Sequence, residues 1–195
     1  YDSSFWNKMN SKEKAEMNRL FSAWRLSQLN HGEHGAVLVC GQLANVLPDA
    51  DTKFFMATQV MDEARHVEAY RKLLGKFGVA YPMTDPLQGL VNDALSDSRW
   101  DVTYLAMQVV IEGLALAAFA TIRDLAQNPL ARMVNAYVME DEARHVAFGR
   151  LSLRDYYPEL TQKERDEREE FLVEACYLMR DRMTRSKEIY EVLGL

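Results

Sequence analysis

Cysteine is scarce in this sequence of 195 residues: there are two, Cys40 and Cys176, and no Cys-x-x-Cys pair. That leaves no disulfide framework and no thiolate set for zinc or an iron–sulfur cluster. It fits a reducing, cytoplasmic setting. Glycine and proline are also few, at nine and five, which excludes collagen-like and low-complexity chains. No run of alternating β-branched residues lies between turn signals, so strands are not expected. Basic charge is not in excess either; the net charge is −6, which argues against nucleic acid as a partner. Tyr1 to Asn10 is polar, without the basic-then-apolar pattern of a leader. The chain opens on Tyr rather than Met, as a processed form or a piece of a longer protein would. The longest apolar run, Leu105 to Ile122, approaches the length of a membrane span. Gln108 and Glu112 sit in its middle, and a carboxylate there would be expensive in a bilayer. The expectation is a buried helix carrying a functional acid, with no membrane partner.

What is present is helical. The chain is 48% hydrophobic and 27% charged, enough apolar surface for one domain over residues 1–195 at about 100–200 residues per domain. Periodicity and punctuation predict a long helix from about Lys14 to Val46, stopped at Leu47-Pro48. A second is capped by Asp51 and runs to Gly75 or Gly78. Val79 to Pro86 reads as a loop and Pro86 to Leu95 as a short connecting helix. A third long helix, capped within Ser96-Asp97-Ser98, ends near Asn128-Pro129, and a fourth runs from Pro129 to Tyr157-Pro158. Thr161 with Glu164 has capping-box spacing for a fifth. The predicted fold is thus a four-helix core over 14–157 and a C-terminal helix over 161–190. That last helix has Phe171, Leu172, Ala175 and Leu178 on one face and dense charge on the other. It reads as a cover or as a contact in a homodimer.

The informative pattern is an internal repeat. Asp62-Glu63-Ala64-Arg65-His66-Val67 returns as Asp141-Glu142-Ala143-Arg144-His145-Val146, offset by 79 residues, and the same offset carries Glu33 onto Glu112. Each half is a helix with a lone Glu followed by a helix with Glu-x-x-His. Residues i and i+3 share a helix face, so Glu63 with His66, and Glu142 with His145, project together. Two such hairpins packed antiparallel bring four carboxylates and two imidazoles into one core, the ligand set of a dinuclear iron or manganese site in a helical bundle. Four carboxylate charges balance two divalent cations, which explains how so many acids can be buried. A lone Glu-x-x-His is common on solvated helices; two copies with equally spaced upstream glutamates are not.

With these motifs the sequence resembles the di-iron oxygenases of the ferritin-like superfamily, over roughly Arg25 to Asp155. The patterns it is most similar to are the hydroxylase subunit of bacterial multicomponent monooxygenases and the acyl-carrier-protein desaturases. The resemblance implies that Glu33, Glu63 and His66 serve one iron and Glu112, Glu142 and His145 the other. Glu63 and Glu142 would bridge the two ions at the catalytic centre. It further implies that Asp62 holds His145 and Asp141 holds His66, each pair crossing between hairpins, with Arg65 and Arg144 paired to those acids. The implied activity is oxidation of a small organic substrate by O2 (hydroxylation, desaturation or N-oxidation) at two Fe ions, or a Mn/Fe pair. Electrons would come from a reductase or ferredoxin, since nothing in the sequence binds flavin, NAD or an iron–sulfur cluster.

Departures from the pattern are equally specific. Leu116 stands where the multicomponent hydroxylases place a Thr. Val138 stands where arylamine N-oxygenases place a seventh ligand, a His, which argues against that site without excluding the chemistry. Tyr70, one turn after His66, matches the radical Tyr of the class I ribonucleotide reductase small subunit, although a Tyr facing a bundle core is more often packing with one hydrogen bond. His31 and His34 flank Glu33, and His34 points about 100° away from it. Small Ala36 and Ala115, with Val37, Val60, Val109, Leu116, Phe119 and Met139, are expected along the inner face, as a pocket lining or plain core. Cys40 reads as a small buried residue. The rival functions are a rubrerythrin- or ferritin-like peroxide-scavenging or iron-handling protein, and a radical-generating subunit that would rest on Tyr70.

Overall fold

The computed structural model describes residues 4–184, and every regular element among them is helical. A short α1 (Ser4–Lys8), which the sequence reading did not anticipate, precedes α2 (Ser11–Val46) and α3 (Ala50–Gly75). Then come α4 (Asp85–Ser96), α5 (Trp100–Tyr104), a π-helical segment (Leu105–Ile111) and α6 (Glu112–Leu125). The described residues close with α7 (Pro129–Tyr156), a 3-10 turn (Tyr157–Glu159) and α8 (Gln162–Thr184). The predicted end of the last helix near Tyr190 lies outside the described residues. The fold is all-α: a ferritin-like four-helix bundle with an added C-terminal helix.

Side-chain caps set most of the boundaries. Asn10 and Glu13 form a capping box at the start of α2, each satisfying the other's backbone N–H. Asp49, not the expected Asp51, caps α3 by accepting from the Thr52 amide at 2.8 Å; Asp51 instead lies in the first turn, where a carboxylate also suits the helix dipole. Asn128 caps α7 with Pro129 at the first position. Thr161 and Glu164 close a reciprocal pair at α8, as their spacing requires. The start of α5 is less regular than expected: Arg99 is the capping residue and makes no side-chain cap, while Asp97 accepts from its amide.

Two antiparallel hairpins make the bundle, α2 against α3 and α6 against α7, with α3 and α7 also in contact. The loop and α4 carry the chain from one hairpin to the other across α2. Gly35 on α2 permits that crossing, since a Cβ there would lie 2.6 Å from a Val91 methyl of α4. One apolar cluster includes Val39, Leu43, Met56, Tyr104 and Leu153, and a second holds Leu26, Tyr70, Leu74, Phe119 and Val138. α8 covers the π segment through Ala175 and Met179, which bury against Val110 and Leu90. This corrects the expected apolar face, because Leu178 is exposed and Met179 takes its place. An Arg168–Asp101 ion pair, buried and bidentate at 2.9 and 3.2 Å, ties α8 to α5.

Candidate metal centre

The π segment ends at Glu112, whose amide donates to the Met107 carbonyl five residues back. A wider turn of this kind rotates the helix face that the next residues present, and such turns collect at functional sites. By length and apolar composition alone, Trp100–Leu125 could cross a membrane. In the bundle the two polar residues at its middle face inward: Gln108 and Glu112 are 0% and 2% exposed and meet Gln59 of α3.

The six residues expected as ligands converge. Glu33, Glu63, His66 and Glu142 form one group whose ligand atoms all lie within 4.8 Å of one another, and Glu63, Glu112, Glu142 and His145 form a second. Glu63 and Glu142 belong to both. His66 Nδ1 is 3.3 Å from Glu33, 3.3 Å from Glu63 and 3.2 Å from Glu142. His145 Nδ1 is 3.2 Å from Glu63 and 3.3 Å from Glu142. All six side chains are buried.

Asp141 takes His66 Nε2 at 3.1 Å and Asp62 takes His145 Nε2 at 3.3 Å, each bond crossing between α3 and α7. An ionised carboxylate only accepts, so each Nε2 carries a proton. Each Nδ1 then faces the carboxylate cluster, where it donates a proton in the metal-free chain and would offer its lone pair to a metal ion that displaced that proton. Arg65 pairs with Asp62 and reaches Asp141 at 3.4 Å; Arg144 pairs with Asp141 and reaches Asp62 at 3.8 Å. Both arginine side chains are more than half exposed, so they brace the acids from the surface.

Metal-free, this cluster is electrostatically tense. Burial, reinforced by Glu142 and Glu63, pushes the Glu33 carboxyl well above its ordinary range, and burial with Glu142, Glu63 and Glu33 does the same to Glu112. Burial works against ionised Glu63 too, but hydrogen bonds from His145 and His66 outweigh it and bring that carboxyl down to about 2. Burial disfavours both imidazolium ions. Their carboxylate neighbours nevertheless raise His66 well above its ordinary value and His145 to about 10. Glu63 Oε2 is buried and makes no well-formed hydrogen bond; His66 Nδ1 lies 3.3 Å from it. Four converging carboxylates and two inward Nδ1 atoms, in a site where burial strains the charged carboxyls, fit divalent cations that would displace the protons.

A cavity of about 400 Å³ opens beside the cluster. All four glutamates line it, with Ala36, Ala115 and Phe119 among a mostly apolar remainder that reaches Trp24 and Leu87. The expected lining residues Val37, Val60, Val109, Leu116 and Met139 do not border it. Arg25 is its one cationic lining residue among those described.

The family model described as p-aminobenzoate N-oxygenase AurF matches residues 36–193. The chain belongs to that family. The AurF family is a ferritin-like di-iron oxygenase family, so this chain is a di-iron oxidoreductase of the monooxygenase type, acting on an organic substrate. A search of the curated proteins found no match. The match to AurF includes Glu63, His66, Glu112, Glu142 and His145 and begins three residues after Glu33. Val138 is where the sequence placed it, one turn before Glu142, and is 3% exposed in an apolar cluster. That position therefore offers no seventh ligand, and the chain belongs to the AurF family with a valine there.

Tyr70 is fully buried, donates to Asn135 Oδ1 at 3.1 Å and stacks on Phe119 at 6.0 Å. Burial pushes its phenol well up, and the contacts are those of a packed tyrosine. His34 is exposed, and His31 Nε2 bonds the Tyr81 carbonyl at 2.9 Å; neither joins the cluster. Cys40 is buried and Cys176 exposed. The sequence reading missed Gln59, a buried amide one turn before Glu63. Comparing the two repeats position by position exposes it, because the second copy has Val138 there.

Proposed function

We propose that Glu33, Glu63, His66, Glu112, Glu142 and His145 hold two iron ions and that the protein N-oxidises a small arylamine with O2. The two overlapping ligand groups carry this reading, because their imidazoles are fixed by Asp62 and Asp141 so that Nδ1 faces the carboxylates. Reduced iron, when bound, supplies the electrons that O2 activation needs; a reductase or ferredoxin restores them. The chain's own residues do the rest. Glu63 and Glu142 are shared by both positions, Asp62 and Asp141 hold the imidazole protons, and the apolar cavity positions the ring and excludes water. Reaction of the Fe(II)-loaded protein with O2 and p-aminobenzoate tests the proposal. N-oxidised product should form and Fe(II) consumption should stop at two per chain. Continued Fe(II) oxidation with mineral formed and no organic product would favour the iron-handling alternative.

Proton release gives an independent check. In the metal-free site, burial and the neighbouring carboxylates favour the protonated form of Glu33 and Glu112, and the carboxylates around His66 and His145 favour their protonated form. Metal ions compete with those protons. Anaerobic loading near pH 7 should release protons, and affinity should rise with pH. The linkage has a second sign. Protonated His145 stabilises the metal-free fold fully below the ordinary imidazole pKa, and that contribution is lost as pH climbs through about 10. A pH-stat trace showing no proton release on metal uptake would contradict the ligand set.

Arg25 suits an anionic group on the substrate. Its guanidinium lies over Phe21, 5.8 Å from the ring centroid, and has no carboxylate partner among the described residues. A hydrogen bond to a charged group contributes about 1.5 kcal/mol, close to tenfold in affinity. Arg25→Ala should therefore raise KM for an aminobenzoate about tenfold and leave KM for a neutral aniline unchanged. An equal change for both substrates would remove Arg25 from substrate recognition.

A further inference from the structure

The duplication that builds the metal centre is broken at one cluster of positions. At the offset of 79, Gln59 answers to Val138, Gln108 to Leu29, Gly149 to Tyr70 and Met56 to Asn135. One set of these positions, Leu29 and Tyr70 from the first repeat with Asn135 and Val138 from the second, makes an almost wholly apolar wall. Tyr70 and Val138 are buried with Leu29 packed against them, and the Tyr70 hydroxyl is satisfied by Asn135. In the other set, Met56 and Gln59 with Gln108 and Gly149, the aromatic ring is missing. A Cβ on Gly149 would collide with the Gln108 side chain, so the glycine provides the room that Gln108 fills. Gln108 Nε2 donates to Gln59 Oε1 at 2.7 Å and lies 3.8 Å from Met56 sulfur. Gln59 Nε2 in turn donates to Glu112 Oε1 at 2.6 Å and to Glu63 Oε1 at 3.2 Å. Turned over, the Gln108 amide reaches Glu112 Oε1 itself at 3.0 Å. In either orientation Glu112 is held by a buried amide. Among the described residues, the neighbours of Glu33, its repeat partner, in the cluster are His66, Glu63 and Glu142, all proposed ligands, with no amide behind it.

Two fully buried amides are costly unless satisfied, and a pair of leucines would fill the space without that risk. We propose that Gln59, seated by Gln108 in the space left by Gly149, is a positioning residue that makes the two metal positions unequal. It orients Glu112 in advance and supports its charge without adding any of its own. The position of Glu63, Glu112, Glu142 and His145 therefore fills before, and more tightly than, that of Glu33, Glu63, His66 and Glu142. The inference rests on the six-ligand reading above.

Anaerobic titration of the full chain with Mn(II), counting free ion by its paramagnetic resonance, is the test. The unsubstituted protein should take two ions in separable steps. Gln59→Met should weaken the tighter step about 10–100-fold, the usual cost of losing a partner behind a ligand, and leave the weaker step unchanged. In a His66→Ala background, which keeps the Glu112 position, the loss should persist. In a His145→Ala background it should vanish. A defect that is merely structural would weaken both backgrounds alike, and that result overturns the proposal. If Gln59→Met does not fold, Gln108→Met is read in the same backgrounds, and the step separation in the unsubstituted protein needs no variant. Two ions bound with equal affinity would overturn this inference alone; no uptake at all would overturn the six-ligand reading with it.

Discussion

His145→Ala should halve the iron content of the loaded protein, from two ions per chain to one, and abolish oxidation of the organic substrate. The argument is positional. His145 is the one imidazole in the group of Glu63, Glu112, Glu142 and His145, whereas His66 serves the other group. Removing it leaves three carboxylates with no nitrogen donor and breaks the contacts that hold Glu63 ionised in the metal-free chain. The Glu33 position keeps its own imidazole and should stay filled. Metal analysis after gel filtration reads the outcome, and a variant that still holds two ions would show that His145 is no ligand.

Asp62→Ala should weaken the ion beside His145 by about 10–100-fold, or roughly 1.4–2.8 kcal/mol. Asp141→Ala should do the same beside His66. Each acid fixes which nitrogen of its histidine faces the metal, and without it the ring can turn or change tautomer. The partners of these acids provide the control. Arg65 and Arg144 are more than half exposed, and ion pairs of that kind contribute about 0–1 kcal/mol. Arg65→Ala should therefore change metal affinity little while Asp62→Ala changes it greatly. Equal effects would mean that the acids act through the surface pair rather than through the imidazoles.

Much of this was legible in the sequence because the information is periodic. Glu-x-x-His on a helix fixes a shared face, the offset of 79 fixes the pairing of hairpins, and Leu47-Pro48 and Asn128-Pro129 fix where helices stop. The cross-hairpin bonds from Asp62 to His145 and from Asp141 to His66 came with the resemblance and are present. What the sequence hid depends on packing across elements. The π turn before Glu112 has no local signature among Leu105–Ile111, all apolar but for Gln108. Asp49 and Asp51 are both competent caps, and only backbone geometry selects Asp49. On α8, Leu178 and Met179 are adjacent, so a small rotation decides which one meets Val110 and Leu90. The cavity wall was the least accessible, because whether Val37 or Val39 borders an empty space depends on α4 crossing at Gly35.

The most direct test of the central claim is anomalous diffraction at the iron edge from crystals of the loaded protein. The account predicts two iron peaks per chain inside the bundle. One should be bounded by Glu33, Glu63, His66 and Glu142 and the other by Glu63, Glu112, Glu142 and His145, with Glu63 and Glu142 common to both. A single peak, or iron held outside these six side chains, would contradict it.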